Sequence, residues 1–184
     1  METGKILQAT PRIVDQNKRE EYFQKGFVTL ENIIPVDWLA RLSDCSESLL
    51  NDSRVIQESN DAYDLGPNHS RDQPHVRRLK ALVDRDPLFW EFASESIMGD
   101  IAADLVGADV KFHSSKLNYK WPGSGEIVKW HQDIPAWPHT NYSPVTLGVY
   151  LEDVTALEGP LLCIPKSHEG PLYFHTDLNG QWTG

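Results

Sequence analysis

The sequence changes character at Gly107, and this change most constrains the fold. Before Gly107 the chain carries helix signals: residues 16–25 are strong helix formers that end at Gly26, a residue suited to closing a helix. Residues 36–50 follow a proline and place apolar side chains at helical spacing. Asp86-Pro87 is typical of a helix start, with Pro87 as the first helical residue, and Gly107 marks the end of this helix, in which we expect a break near Gly99. The first half is therefore predicted to be helices joined by loops.

After Gly107 the segments are short, rich in β-formers and separated by Pro, Gly and Asn. The predicted strands are residues 109–121, 126–133, 145–154 and 160–165. One further strand, residues 27–34, is predicted within the helical half. Four or more closely spaced strands indicate an antiparallel sandwich or barrel. At 184 residues the chain is expected to be one domain, mainly β with N-terminal helices.

Composition excludes several classes of function. A formal charge of −10 disfavours nucleic acid as a partner, because binding to phosphates requires a basic surface. No apolar run approaches the roughly 20 residues of a membrane helix, so no membrane association is expected. The first 21 residues lack the apolar core of a secretory signal, which makes the cytoplasm the default location. Cys45 and Cys163 are too few for a disulfide framework and lack the spacing of a zinc site.

One triplet, His131-Gln132-Asp133, combines residues that carry chemistry. On a β-strand, residues two apart point to the same face, so an imidazole and a carboxylate would project together. Such a pair is an ion pair, a core histidine with its partner, or two ligands of one metal ion. A second triplet, His175-Thr176-Asp177, precedes a turn signal near the end of the sequence. Its context makes the first triplet the better candidate for a metal site.

The wider context of this triplet carries a family resemblance. The stretch WHQD at 130–133 precedes the apolar segment VTLGVYLEDV at 145–154 and then EGPLLCIPKSHEG at 158–170. Together with the helix end and strand YFQKGFVTLENIIP at 22–35, this order resembles the phytanoyl-CoA dioxygenase family. The similarity spans about residues 16 to 171.

This resemblance implies a double-stranded β-helix core, also called a jelly roll or cupin-like fold. Residues 1–108 would form its helical and loop part, and residues 109–184 the first part of the core. It also implies a dioxygenase that uses Fe(II), 2-oxoglutarate and O₂ to hydroxylate an unactivated C–H bond of a small-molecule metabolite. 2-Oxoglutarate would be decarboxylated to succinate and CO₂. His131 and Asp133 would then be two iron ligands, and His168 a structural residue.

The resemblance also implies residues that bind the co-substrate. In the family, polar residues of the strand before the W-H-x-D segment hold 2-oxoglutarate, which points to Asn118 and Lys120. Lys120 offers a cation for a carboxylate, although a solvent-exposed strand lysine is an equally good interpretation. Trp130 would lie beside the iron pocket, and plain core packing is equally consistent with it.

The segment after the metal pair is the candidate substrate region. Trp137, His139 and Tyr142 would line the substrate pocket, or form an aromatic loop packed on the rim of the barrel. The sequence does not indicate the substrate's identity or an oligomeric state.

The sequence departs from the family pattern near its end. The family also uses a distal histidine for iron and an arginine for 2-oxoglutarate, but no arginine follows Arg85. His175 is spaced too closely to be a good candidate for the third ligand. We expect the jelly roll to be incomplete here and to continue beyond residue 184 in a parent protein. The alternative is a cupin-like module that binds a small ligand without catalysis.

Overall fold

The structure is a computed structural model, and it describes residues 3–123, 128–136 and 141–183. In these residues the regular elements lie almost entirely before residue 119. The helices are α1 (Thr3–Gln8), α2 (Gln16–Lys25), α3 (Val36–Asp52), α4 (Pro87–Glu95) and α5 (Met98–Val106). The strands are β1 (Tyr63–Leu65), β2 (Val76–Lys80) and β3 (Lys116–Asn118).

Helix ends follow the local chemistry of the sequence. The Asp15 side chain accepts the Lys18 N–H at the start of α2, and the N–H of Gly26 donates to the Tyr22 carbonyl at its end. Asp86 caps α4 in the same way, by accepting the Leu88 N–H at 2.8 Å. The predicted helices over 16–25 and 36–50 are therefore confirmed. The third predicted helix is interrupted between α4 and α5, a few residues before the expected break at Gly99.

The three strands form one antiparallel sheet in the order β1-β2-β3. Leu79 of β2 lies between Tyr63 of β1 and Leu117 of β3, and its side chain is fully buried. The main core lies between this face of the sheet and helices α3 and α4. Its buried members are Leu42, Leu49, Ala62, Tyr63, Val76, Leu79, Leu82, Phe89 and Phe92. Residues 75–80, the basic sequence HVRRLK, thus consist largely of strand β2, and its buried Val76 and Leu79 belong to this core.

A second, small core consists of Val14, Ile101 and Leu105. It is bordered by the buried Arg19, which donates to the carbonyls of Ala9, Ile6 and Asp104. The Asp104 carboxylate accepts three successive backbone N–H groups, from Arg12 to Val14, at 2.8 to 3.1 Å. Burial raises the pKa of this carboxyl, but the backbone donors outweigh burial and hold the pKa below its usual value.

The second half contains much less regular β-structure than predicted. Among its described residues only Lys116–Asn118 is a named strand, and an isolated bridge joins Thr176 to Trp182. Residues 27–34 do not form a strand either, so that prediction is wrong. A β-strand is defined by hydrogen bonds to a neighbouring strand, and a run of β-formers does not supply that neighbour. The expectation of a mainly β chain therefore gives way to helices with a small antiparallel sheet.

The predicted strand at 145–154 forms no hydrogen-bonded ladder, but its side chains still alternate between half-buried and exposed, as in a strand. Along residues 145–151 the odd positions are half-buried, with Val145 and Leu147 on the small core and Val149 and Leu151 on the main core. The even positions are exposed. This segment therefore has the one-sided burial of a strand, with its half-buried side chains packed on the two cores.

The turn formed by Pro165-Lys166-Ser167-His168, the P-x-S-H motif, packs on the end of helix α2. Lys166, in the left-handed conformation, donates its N–H to the Lys25 carbonyl at 2.8 Å. The His168 Nε2 donates to the Phe23 carbonyl at 3.1 Å. Since the carbonyls of a helix's last turn lack partners within the helix, these two bonds satisfy two of them. His168 thus has the structural position expected from the sequence.

None of the described helices combines the length and apolar character needed to cross a bilayer.

Candidate metal centre

The side chains of His131 and Asp133 converge. The His131 Nε2 lies 3.2 Å from the Asp133 Oδ1, and the two side chains are 24% and 39% exposed. The backbone at 128–133 is not part of a sheet, so the pair meets without the strand that predicted it. With metal–ligand bonds of about 2.1 Å, two donors at right angles around one ion lie about 3 Å apart. The spacing therefore fits two neighbouring ligands of one octahedral ion.

The other ring nitrogen of His131 fixes its tautomer. Nδ1 lies 2.7 Å from the Lys129 carbonyl, and a carbonyl can only accept, so Nδ1 carries the proton. In the neutral ring, Nε2 then presents a lone pair to a carboxylate oxygen. Two acceptors at this distance require a positive charge between them, either a proton or a metal ion. A backbone carbonyl behind the distal nitrogen is also what commonly orients a metal-bound histidine.

Asp133 is held at both its backbone and its side chain. Its carbonyl accepts the Ala136 N–H at 2.9 Å, which closes the 3₁₀ turn Ile134–Ala136. Its Oδ2 lies 3.5 Å from the Thr146 hydroxyl, which leaves Oδ1 to face His131. The carboxylate therefore has one oxygen directed to the candidate metal position.

The residue between the two ligands is bonded to a later segment. Gln132 donates its side-chain N–H to the Pro171 carbonyl at 3.0 Å and accepts the Tyr173 N–H at 2.8 Å. Its backbone N–H donates to the His175 Nε2 at 3.1 Å. The indole of Trp182 packs edge-on against His131 and also contacts His175. Residues 171–183 therefore lie directly against the metal pair.

Within the described ranges, no group of three or more His, Cys, Asp or Glu side chains is placed to hold a metal ion. His175 comes near the pair, but its Nε2 accepts the Gln132 N–H and is engaged there. The structure thus brings two candidate ligands together, and His175 is not a third.

A comparison with known protein families matches residues 22–181 to phytanoyl-CoA dioxygenase (PhyH). The chain belongs to this family. The resemblance inferred from the motifs is therefore confirmed.

Curated PhyH-type relatives are named for several substrates. The chain is 27% identical over 165 residues to a probable alpha-ketoglutarate-dependent hypophosphite dioxygenase of Stutzerimonas stutzeri, covering 88% of this chain and 56% of the relative. It is 28% identical over 147 residues to an ectoine dioxygenase of Sphingopyxis alaskensis, covering 78% and 46%. An L-proline trans-4-hydroxylase of Streptomyces griseoviridis is 32% identical over 110 residues, covering 58% and 41%. The chain spans about half the length of the relatives it matches.

A solved structure shares the fold. It is EctD from S. alaskensis with bound Fe, similar to this chain with a TM-score of 0.51 and 23% identity. The likeness covers 61% of this chain and 38% of the EctD chain. The PhyH chain therefore shares part of its architecture with that protein.

The residues expected to bind the co-substrate lie on one side of the sheet. Leu117 and Tyr119 pack on the main core, so the exposed Asn118 and Lys120 point away from the helices. The Asn118 Oδ1 accepts a hydrogen bond from the Arg78 guanidinium at 3.2 Å. Thr146, an exposed residue of the segment 145–151, contacts Asp133.

The aromatic residues expected near the iron and the substrate are either largely exposed or lie outside the described residues. Trp130 is 61% exposed and Tyr142 is 77% exposed. Trp137 and His139 lie outside the described residues.

Three further residues at the site were not predicted: Gln132, Thr146 and Trp182. Gln132 bonds to residues about 40 positions away, and Trp182 packs on His131 about 50 positions away, so no local pattern indicates these contacts. For Thr146 a signal existed, since it alternates with apolar residues in the predicted strand 145–154.

Proposed function

We propose that this chain is part of an Fe(II)- and 2-oxoglutarate-dependent dioxygenase that hydroxylates an unactivated C–H bond of a small-molecule metabolite. The observation that carries the proposal is the position of two side-chain atoms of the kind that bind iron, His131 Nε2 and Asp133 Oδ1, which face each other at 3.2 Å. Two His and one carboxylate on one face are the usual ligands of iron(II) oxygenases, and this pair supplies two of them. Bound iron with 2-oxoglutarate and O₂ supplies the oxidising chemistry, yielding succinate and CO₂.

The protein groups around the pair orient the ligands. The Lys129 carbonyl holds the Nδ1 proton of His131, so Nε2 is free to bind the metal. The Thr146 hydroxyl lies against one oxygen of Asp133 and leaves the other for the metal. Both contacts set ligand direction before any ion binds, which lowers the cost of assembling the site.

Asn118 and Lys120 remain the proposed co-substrate residues. Both are exposed and alternate with Leu117 and Tyr119, which pack on the main core. In this proposal the Lys120 ammonium pairs with a carboxylate of 2-oxoglutarate, and the Asn118 amide donates to the same molecule. Trp130, directly before His131, covers the edge of the metal site.

The proposed substrate region is the stretch that begins after the metal pair, with Trp137, His139 and Tyr142. The relatives named for ectoine and L-proline support a small-molecule substrate. The net charge of −10 favours a neutral or cationic metabolite over a polyanionic one.

We further assign residues 109–184 to the first part of a jelly-roll core that continues beyond residue 184. The extended segment 145–151 supports this assignment, because it has the side-chain alternation of a strand and packs one face on the cores. The length of the curated relatives agrees with it. Strands from the continuation would pair with this segment and supply a third ligand.

A ligand-binding module without catalysis is the competing function. Its support is that the described residues bring two donors together, where an oxygenase requires three. Such a module would bind a small molecule with no dependence on Fe(II).

Anaerobic titration with Fe(II) followed by 2-oxoglutarate tests the proposal. We expect Fe(II) binding by calorimetry, and then a weak visible charge-transfer band when 2-oxoglutarate is added. His131→Ala and Asp133→Ala should each weaken Fe(II) binding at least tenfold, whereas His113→Ala, which removes an exposed histidine, should not. The absence of Fe(II) binding by the unaltered chain, or equal binding by the His131 variant, would contradict the proposal.

A further inference from the structure

The residue between the two proposed ligands makes more contacts with residues 171–183 than either ligand does. We call residues 171–183 the C-terminal segment. Gln132 contacts it through three hydrogen bonds, to Pro171, Tyr173 and His175, over distances of 2.8 to 3.1 Å. A residue that only separates two ligands has no need of such contacts.

The side-chain amide of Gln132 acts as a substitute for a neighbouring strand. In an extended chain the carbonyl of one residue and the N–H two residues later point to the same side. The Pro171 carbonyl and the Tyr173 N–H are placed in this way, and Gln132 donates to the first and accepts from the second. Both backbone groups are thereby paired, and the amide is used at both of its ends.

The C-terminal segment places the indole ring of Trp182 against the imidazole of His131. Residues 175–183 form a hairpin closed by the bond from the Thr183 N–H to the His175 carbonyl at 2.8 Å. Asp177 closes its tip by accepting the N–H groups of Asn179 and Gln181 at 2.8 Å. The hairpin places the Trp182 ring 6.1 Å from the His131 ring, with an angle of 81° between the planes. This edge-on contact restricts rotation of the imidazole.

We propose that Gln132 is a positioning residue that fixes the C-terminal segment against the metal pair, and that Trp182 in turn fixes the ring of His131. The inference rests on the proposed function for its metal, but the contacts themselves do not require the metal. The carboxamide therefore acts through two linked steps, from Gln132 to the hairpin and from the hairpin to His131.

Hydrogen–deuterium exchange on the metal-free chain tests the first step. Gln132→Ala should speed exchange of the Tyr173 amide at least tenfold, because its acceptor is lost. Gln132→Glu keeps an acceptor for Tyr173 and loses the donor to Pro171, so it should leave that amide close to the original rate. Gln181→Ala is the matched control, since Gln181 joins the hairpin through its backbone N–H and carbonyl. Unchanged exchange in Gln132→Ala would overturn the inference.

Metal binding tests the second step. Gln132→Ala and Trp182→Phe should each weaken Fe(II) binding about tenfold or more, the usual effect of removing a group that orients a ligand. Gln181→Ala should leave the affinity unchanged, and circular dichroism should show all variants folded. If the unaltered chain does not bind Fe(II), the proposed function fails while the exchange result still decides the role of Gln132. If it binds and both variants bind equally well, the positioning role is wrong.

Discussion

Replacing Gly26 by alanine tests how two distant motifs meet. Gly26 ends helix α2 with φ of +88°, and a Cβ there would overlap the imidazole of His168, with its Cγ only 2.8 Å away. An alanine in the left-handed conformation costs about 1–2 kcal/mol. Relieving the overlap requires the turn at 167–169 to move, which breaks the bonds from Lys166 and His168 to the helix end. At about 1 kcal/mol for each of the two bonds, the total is about 3–4 kcal/mol.

Urea unfolding followed by circular dichroism measures this loss as a lower midpoint with an unchanged slope. A double-mutant cycle separates the two contributions. In a His168→Ala background the overlap is absent, so Gly26→Ala should then cost only the backbone contribution of about 1–2 kcal/mol. Gly99→Ala is the control, because no other described atom lies within 4 Å of a Cβ at that helical position, and it should leave stability equal or slightly higher.

The reasoning would be refuted by a Gly26→Ala cost below about 1 kcal/mol, since the backbone contribution alone reaches that value. An equal cost with and without His168 would refute the contact between the turn and the helix.

Two further predictions concern the cores. Asp104→Asn should destabilise the protein by about 2–3 kcal/mol at pH 7, because a charged acceptor of three backbone N–H groups is lost. Since the folded pKa of Asp104 is lowered, its contribution is present above about pH 4 and is lost as the pH falls through the folded value. Urea midpoints of the two proteins should therefore converge in acid, and a constant difference down to pH 2 would contradict this. Leu79→Ala should cost about 3–5 kcal/mol by the same assay, because a fully buried side chain between two strands leaves a cavity, and a loss below 1 kcal/mol would show that the site collapses.

The helices and the family were predictable from the sequence because their signals are local. Gly26 and Asp86 act on backbone groups within a few residues of themselves, so the ends they predict match the structure. The W-H-x-D and P-x-S-H motifs are likewise short, and the family match over residues 22–181 agrees with them. His131 and Asp133 were predicted to project together from a strand, and their side chains do converge, although residues 128–133 form no strand.

The β-structure was predicted less well, because a strand requires a neighbouring strand to which it hydrogen-bonds. The sequence of one strand does not identify that neighbour. Residues 27–34 have the composition of a strand but form no ladder, and residues 145–151 have the alternation of a strand without a partner in the described chain. The composition of a segment indicates how well its side chains fit a pleated sheet. Whether the segment pairs depends on which other segment lies beside it in the fold.

The sequence by itself determined the helix ends, the family and the two residues proposed to bind iron, since each depends on neighbours a few positions away. Only the tertiary structure showed that Gln132 bonds to Pro171 and Tyr173, that Trp182 packs on His131, and that His168 lies against Gly26. These contacts join residues about 40 to 145 positions apart. Bringing such distant segments together costs chain entropy, and this cost is offset by the packing interactions of the complete fold. A local sequence pattern therefore does not indicate which residues will be in contact.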